Sequence, residues 1–532
     1  MGLGDRVVAV TSYCRLPEGV ERPRVGDASM INSEAIVALE PDLIVAQTSP
    51  GKFKGVRDLR PGVRVEKIEI ERLADIPAAI DRLGDLAGRP GLAERASGRF
   101  QRELDRVRQR VAGRRRPRVL FVMGTDRPFI AGDRTFIADM IEAAGGASVA
   151  GDIPGDSPWR QTQIDHIVTV RPEVILCQVQ PGRQGAAREY WRQWDDLPAA
   201  RDGRIFILTE PEWSIPGTHA AELAGRLAGM LPATAASADG GTVGGGLPLW
   251  QARVNRLIAA AIVGAALAAG GMALQGLLRN PLAEPYILGI SSGAGVGVLA
   301  GLALAGRLAL PEWASTPALA FVGAVVTCAV VYSVAQRRGR LDPYSLILSG
   351  VIVNTFNAAI MLTIYLYLDP YRIADFTHWA MGRLPDSPDV TALWVCGGCV
   401  AVGAGALLAH GAGLNVLGLG DEVAASSGLT VQRLRLVVFV AVGLMTAAAV
   451  ALAGPIGFLG LIVPHIVRMI VGSEHRLGLI VSAAAGAVFL MAAETLCRRA
   501  APLIGVSLIP VGILTALAGG PFFIVLLRRR LG

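Results

Sequence analysis

Nine long apolar runs, all beyond residue 250, decide what this chain can fold into. They lie near 254–274, 286–306, 315–335, 344–367, 391–410, 436–454, 456–472, 478–497 and 508–527. An apolar helix of about 20 residues spans a hydrocarbon core of about 30 Å, so runs of this length read as membrane crossings. Several are short or broken by glycine. A more polar helix near 374–384 does not read as a crossing. Residues 1–245 contain no such run and carry charges throughout, as a water-exposed protein does. Averages conceal this division: of the 532 residues 52% are hydrophobic and 18% charged, with mean hydropathy +0.45. The formal charge of +7 does not point to nucleic acid, because many of the arginines sit in short loops between apolar runs.

Those arginines also orient the chain. One set of alternate loops holds Arg279, Arg337, Arg338, Arg340, Arg433, Arg435, Arg476 and Arg528–Arg530. The other holds Arg253, Arg256, Arg307, Arg372, Arg383, Arg498 and Arg499. The richer set is expected in the cytoplasm. An odd number of crossings then puts residues 1–250 on the outer, periplasmic side of a bacterial inner membrane. Residues 1–20 contain no charged-then-apolar export signal, so either the true start is upstream or this portion is not exported, and an external role requires the first. Cys14 and Cys177 lie apart in the soluble portion. Cys396 and Cys399 form a lone CxxC inside an apolar run and read as packing.

The soluble portion alternates strands and helices. Strands are expected at 6–10 and 42–47 with a helix at 34–39 between them. A helical stretch follows over 76–113, interrupted near Pro90. A strand at 118–123, a helix near 134–144 and a strand at 173–177 complete the pattern. This implies a mostly parallel sheet covered by helices. The segment Glu34-Ala-Ile-Val-Ala-Leu-Glu-Pro-Asp-Leu-Ile-Val is weakly repeated as Asp165-His-Ile-Val-Thr-Val-Arg-Pro-Glu-Val-Ile-Leu. The expected fold is therefore an α/β two-lobed domain with a long linking helix, followed by an all-α polytopic membrane domain of about nine spans. Residues 1–232 would be the binding domain and 249–532 the membrane domain. Residues 233–248, small and Gly-rich, would be a linker with an end-to-end distance of roughly 22 Å.

The stretch RVNRLIAAAIVGAALAAGGMALQGLLRNPLAEPYILGISSGAG (253–295) resembles the opening of FecCD-type permeases, importers of ferric siderophores, haem and cobalamin. The resemblance continues through 414–431, GPIGFLGLIVPHIVR (454–468) and 509–530, and so covers nearly all of 253–532. That family usually has ten spans, and the first is missing here. GLGDRVVAVTSYC and PRVGDASMINSEAIVALEPDLIVA resemble periplasmic binding proteins for cobalamin and siderophores, as do 136–152 and 194–208.

The resemblance implies an importer subunit with its receptor fused in front, working with an ABC ATPase and a second permease half, as a homodimer. Gly420, Glu422, Ala424, Ala425 and Gly428 match the segment that docks on the ATPase, and PHIVR (464–468) is a second candidate contact. No GxxxxGK[ST] loop occurs in the sequence, so ATP hydrolysis is assigned to the partner. The chain is expected to be no enzyme and to hold no cofactor. Tyr13, Trp159 and Trp213 are candidate faces for a planar chelate, whereas Trp191 and Trp194 read as structural. No His/Cys/carboxylate cluster suggests direct metal binding, so a chelated metal fits better than a bare ion. Arg253 and Arg256 match the family's outer arginines, which resemble sockets for acidic residues on the binding-protein lobes. Two rival functions are a membrane-anchored chelate receptor that does not transport, and a proton-coupled carrier. The second is disfavoured because ionisable residues within spans are few: Glu494, His465 and Arg468. The Ser-Tyr-Cys stretch at 12–14 leans slightly toward cobalamin over a ferric siderophore, although siderophore receptors share it.

Overall fold

A computed structural model describes residues 4–231, 249–304, 312–504 and 509–531, apart from 12, 13, 15, 17, 18, 27–30, 126, 127, 338, 339, 369 and 387. The Gly-rich stretch 233–248 and Tyr13 lie outside the described residues.

The first lobe is small. Helix α1 (Ser33–Ala38) starts where Asn32 accepts the Ala35 N–H at 3.0 Å, an N-cap that the Asn-Ser-Glu sequence supplies. Strand β1 (Leu43–Ala46), helix α2 (Lys54–Leu59) and strand β2 (Arg64–Lys67) follow, and the two strands pair in parallel. Their core is Ile36, Phe53, Val56 and Val63. Residues 6–10 do not form the expected strand. Val10 makes only an isolated bridge to Arg24, and Val7 and Val8 remain more than a third exposed. Without a neighbouring ladder, β-propensity alone does not hold a strand.

The expected helical stretch resolves into α3 (Asp75–Leu86) and α4 (Pro90–Val111), with Pro90 opening the second helix. Then come β3 (Arg118–Met123), β4 (Phe129–Ala131), α5 (Phe136–Ala143), β5 (Ala147–Ser148), β6 (Trp159–Gln161), α6 (Ile164–Val170) and β7 (Val174–Gln178). Helices α7 (Gln184–Arg192) and α8 (Pro198–Arg201), strand β8 (Ile205–Leu208) and helix α9 (Ala220–Met230) complete the second lobe. Its sheet runs β6-β4-β3-β7-β8, with β5 beside the start of β3. β3 pairs in parallel with β7, and β7 with β8, while β4 and β6 are antiparallel.

Strands β3 and β7 are apolar at every interior position because both of their faces are covered. Val119, Phe121, Val174 and Leu176 point into one core with α3, α4, α5 and α9. Leu120, Val122, Ile175 and Cys177 point into another with Trp191, Trp194 and α6. The alternation is the two-residue period of the strand. Burial pushes the Cys177 thiol up to about 12, which leaves it inert.

The remainder is helical: α10 (Leu249–Leu278), α11 (Ile290–Leu304), α12 (Glu312–Ala335), a short β9–β10 hairpin (Gln336–Arg337, Arg340–Leu341), α13 (Pro343–Tyr365) and α14 (Pro370–Ala380). After these come α15 (Val390–Ala409), α16 (Gly411–Gly418), α17 (Asp421–Ser426), α18 (Val431–Ala453), α19 (Leu459–Val471), α20 (His475–Ala500) and α21 (Val511–Leu531). Six of them (α10, α12, α13, α15, α18 and α20) are long and apolar enough to cross a membrane. Three shorter apolar helices, Ile290–Leu304, Leu459–Val471 and Val511–Ile524, occupy the other apolar runs.

Helix α10 is central: 72% of its apolar stretch is buried, against 22% for α13. Glycines make that burial possible. A Cβ on Gly264 would collide with the Gly486 carbonyl of α20, and one on Gly271 with the Gly460 carbonyl of α19. Without a hydrophobic driving force between helices, such close backbone approach supplies the packing. Gly271→Leu should therefore lower the thermal midpoint of the detergent-solubilised chain, at a cost of about 1–3 kcal/mol or more. Gly405→Leu, on an exposed turn of α15 where a Cβ meets nothing within 4 Å, should leave the midpoint unchanged. Equal melting of the two variants would refute the notch.

Candidate functional site

The first turns of α10 carry Arg253 and Arg256, and each meets a carboxylate of the second lobe. Arg253 Nε donates to Asp165 Oδ1 at 2.7 Å, and Arg256 Nη1 reaches Asp165 Oδ2 at 3.4 Å. Asp165 sits in the first turn of α6, where a negative charge is favoured. Arg256 is nearly buried and also lies 3.8 Å from Asp386 and 3.9 Å from Glu494. Arg498, one turn after Glu494 on α20, closes the cluster. It donates to Glu494 Oε1 at 2.6 Å, Asp386 Oδ1 at 2.7 Å and Gln163 Oε1 at 2.5 Å. Arg383 Nη2 donates to the other Asp386 oxygen at 2.8 Å.

Asp386 is completely buried. Burial works against its charge, but Arg383, Arg498 and Arg256 hold its carboxyl down to about 2. Sequence reading singled out two members of this network and missed Asp165, Gln163, Arg383, Asp386, Glu494 and Arg498 as a group. The available signal was Glu494 and Arg498, a carboxylate and an arginine four residues apart at one end of an apolar run.

At the opposite end of α10, Arg279 is ion-paired with Asp421, and Arg435 Nη2 donates to the same carboxylate at 2.6 Å. Asp421 opens α17, the helix expected to meet the ATPase. Gly420 and Gly428, with φ of 124° and 84°, bracket this helix, a backbone that side chains rarely adopt. Glu422 and Ala425 face outward, and Leu419 and Val423 beside them are 72% and 48% exposed. Ala424 differs from the expectation: it is fully buried in the bundle core, one helical face away from the surface its neighbours present. The PHIVR segment lies on α19. Its Pro464 and Val467 are buried and its Ile466 is exposed, as are Met469 and Ile470 just beyond it.

Between the two ends, a cavity of about 820 Å³ opens on the membrane part. Tyr286, Ser292, Asn354, Tyr365, Phe376 and Trp379 are among its lining residues. Phe376 packs edge-on to Tyr365 and tilted against Trp379. The Tyr286 hydroxyl accepts the Ile456 N–H at 2.6 Å. Asn357 Nδ2 donates to Ser292 Oγ at 3.0 Å and to Thr327 Oγ1 at 3.3 Å. The wall is thus mostly aromatic and apolar with a few fixed polar groups, which suits a large, partly apolar solute.

Of the three aromatic candidates in the receptor portion, Trp159 is half-buried on β6 at the edge of the second-lobe sheet. Trp213 is a core residue rather than a platform. It is 0% exposed, its Nε1 donates to Glu210 Oε2 at 2.9 Å, and the Arg226 guanidinium lies over its ring at 5.4 Å. Its faces are used up within the lobe. Trp191 and Trp194 are likewise fully buried.

The sequence pattern of the FecCD transport family matches residues 242–529, and that of a periplasmic binding protein family matches residues 1–212. The cobalamin import system permease protein BtuC of Halobacterium salinarum is 43% identical over 52% of this chain and 72% of its own length. The hemin transport system permease protein HmuU of Yersinia pestis is 36% identical over 52% of this chain and 82% of its own. The periplasmic vitamin B12 binding protein BtuF of Vibrio cholerae superposes on 43% of this chain and 90% of its own, at 22% identity and a TM-score of 0.37. With its multiple apolar helices and a permease pattern extending over more than half its length, the chain belongs to the FecCD transport family and carries a periplasmic binding protein domain ahead of the permease.

Proposed function

We propose that this chain is the receptor and one membrane half of an ABC importer for a metal chelate, with cobalamin the first choice among chelates. One observation carries the reading: a binding-protein domain and a FecCD permease occur in a single chain. Permeases named for cobalamin or vitamin B12 are 35–43% identical and one named for hemin is 36% identical, so identity does not separate the two ligands and cobalamin is the chelate to test first. Residues 1–232 are the receptor, 233–248 the tether and 249–532 the permease. All nine apolar helices cross the membrane and the arginine-rich loops are cytoplasmic, so the receptor lies on the outer side and Arg528–Arg530 on the inner.

The chelate is held in the receptor against Tyr13 and Trp159. It then passes a route formed with a second copy of the chain, and the aromatic cavity around Phe376 and Trp379 supplies part of its wall. A separate ATPase drives the cycle by gripping α17 at Glu422 and Ala425, with Gly420 and Gly428 shaping that helix and Leu419 and Val423 filling the partner's groove. Arg253 and Arg256 hold the receptor at the mouth.

Three measurements test this. Glu422→Arg should reduce cobalamin uptake by more than about tenfold through charge repulsion at the docking face, while cobalamin capture by the purified chain stays normal. Normal uptake in this variant would remove α17 from the coupling role. Trp159→Ala should weaken cobalamin binding by about 1 kcal/mol, severalfold in Kd, and unchanged titration would reassign Trp159 to packing. A cysteine at Ser237, in a chain freed of native cysteines, should react with an impermeant thiol reagent in intact spheroplasts. Labelling only after lysis would reverse the orientation.

A further inference from the structure

We propose that the second lobe of the receptor is a permanent cap on its own membrane half, so that capture and release of the chelate are performed by movement of the first lobe alone. The inference rests on reading the chain as receptor plus permease. It does not depend on what is carried.

The seat is built like a domain interior rather than like a transient contact. Leu249 and Ala252, in the first turn of α10, belong to the same apolar cluster as Trp191, Trp194 and Leu197 of the second lobe, and Ala252 is only 1% exposed. The Leu249 N–H, an orphan donor at the helix start, is taken by Asp196 Oδ2 at 2.6 Å. The first membrane helix therefore begins inside the core of the lobe.

Beside this apolar joint lies the ionic one. In the membrane half, the guanidiniums of Arg256, Arg383 and Arg498 face the carboxylates of Asp386 and Glu494, and Arg253 faces Asp165 of the lobe. Asp165 supplies a further negative charge, and Gln163 Oε1 accepts from Arg498. Gln163 and Arg256 are both nearly buried. Lifting the lobe would take Asp165 and the Gln163 oxygen away from Arg256 and Arg498 and would expose the apolar joint at Leu249 and Ala252 in the same movement, so the ionic and apolar contacts part together.

The first lobe is attached quite differently. Its core is separate from both second-lobe cores. Helices α3 and α4 belong to the second lobe, because Asp139 accepts the Leu73 N–H at 2.9 Å and pairs with Arg72, and because Phe100, Leu104 and Val107 fill the second-lobe core. Residues 4–69 meet them through exposed polar contacts such as Arg82 to Glu66 and Arg6 to the Ala87 carbonyl, each 3.2 Å, and Ile70 is where the chain joins the second-lobe core. Contacts of that kind are weak and easily exchanged for water. The firm joint is below the second lobe and the soft one is between the lobes.

A protease recognition site placed within 233–248 of the full chain tests this. After cleavage in lipid nanodiscs, the receptor fragment should stay with the membrane part through gel filtration, even at about 0.5 M NaCl, where the Debye length is only about 4 Å. Asp165→Arg should release most of the fragment under the same wash. The swap of Asp165→Arg with Arg253→Glu should restore retention, which separates loss of the seat from misfolding. If the wild-type fragment elutes freely after cleavage, the cap does not exist. If Asp165→Arg is retained like wild type, the ionic part of the seat is wrong. Retention is read without transport. An intact seat with no uptake of cobalamin, haem or a ferric siderophore would sink the importer reading alone, and free elution with normal uptake would sink the cap alone.

Discussion

A carboxylate with no access to water sets the terms for the outer half of this molecule. Asp386 is 0% exposed, and an isolated charge there would neutralise itself or unfold its surroundings. Three guanidiniums prevent both, arriving from α10, α20 and the loop that carries Asp386. That loop is fixed by its backbone. Gly382, at φ 70°, gives its carbonyl to Gly512 N–H at 3.0 Å, and the Arg383 N–H donates to the Ala453 carbonyl at 2.8 Å. The ends of α10, α18, α20 and α21 are thus gathered around one charge. Because the carboxyl titrates below its unfolded value, its stabilisation is fully present above about pH 4 and is lost only as pH falls through about 2. Asp386 therefore keeps its charge throughout the physiological range.

Helix α10 links this outer cluster to an inner one. A straight helix of its 30 residues is about 45 Å long. Arg253 and Arg256 stand near one end, and Arg279, just past the other, pairs with Asp421 at the start of α17. Glycine notches fix its height against α19 and α20, and Gln275 Nε2 donates to the Gly460 carbonyl at 3.2 Å. A rigid element with polar contacts at both ends is a physical connection between receptor and coupling segment. Transmission along it further requires an element with two arrangements. Helix α19 is a candidate, since it starts at Phe458 with φ 66° and contains Pro464.

What the sequence made legible follows from the range of each interaction. Apolar runs announce the membrane helices because lipid imposes a composition on every residue it touches. Strand β3 falls on 118–123 as read, because burial on both faces leaves an unbroken apolar run. The strand read at 6–10 failed because it lacks a ladder partner, which is a tertiary fact. Trp159 and Trp213 look alike in sequence, and only packing makes the second a core residue. Ala424 shares a motif with Glu422, yet helical geometry turns it inward. The ionic network was least legible, because positions 163, 165, 256, 383, 386, 494 and 498 come from two domains and four separate stretches of chain.

The same network changes the meaning of the tether. Were Arg253 and Arg256 merely exposed partners for a visiting receptor, each pair would contribute about 0–1 kcal/mol, and a roughly 22 Å linker would be needed to hold the receptor near by raising its effective concentration. Arg253 is half exposed and fits that description, but the side chain of Arg256 is only 7% exposed and that of Asp165 17%. Rehydration offsets the attraction of such buried pairs when they part, but the same separation exposes the apolar joint at Leu249 and Ala252 to water. A seat of this kind holds without help from a linker once it has formed. The tether then matters chiefly during assembly, when it brings each second lobe to the α10 of its own chain before the arginines can accept another partner.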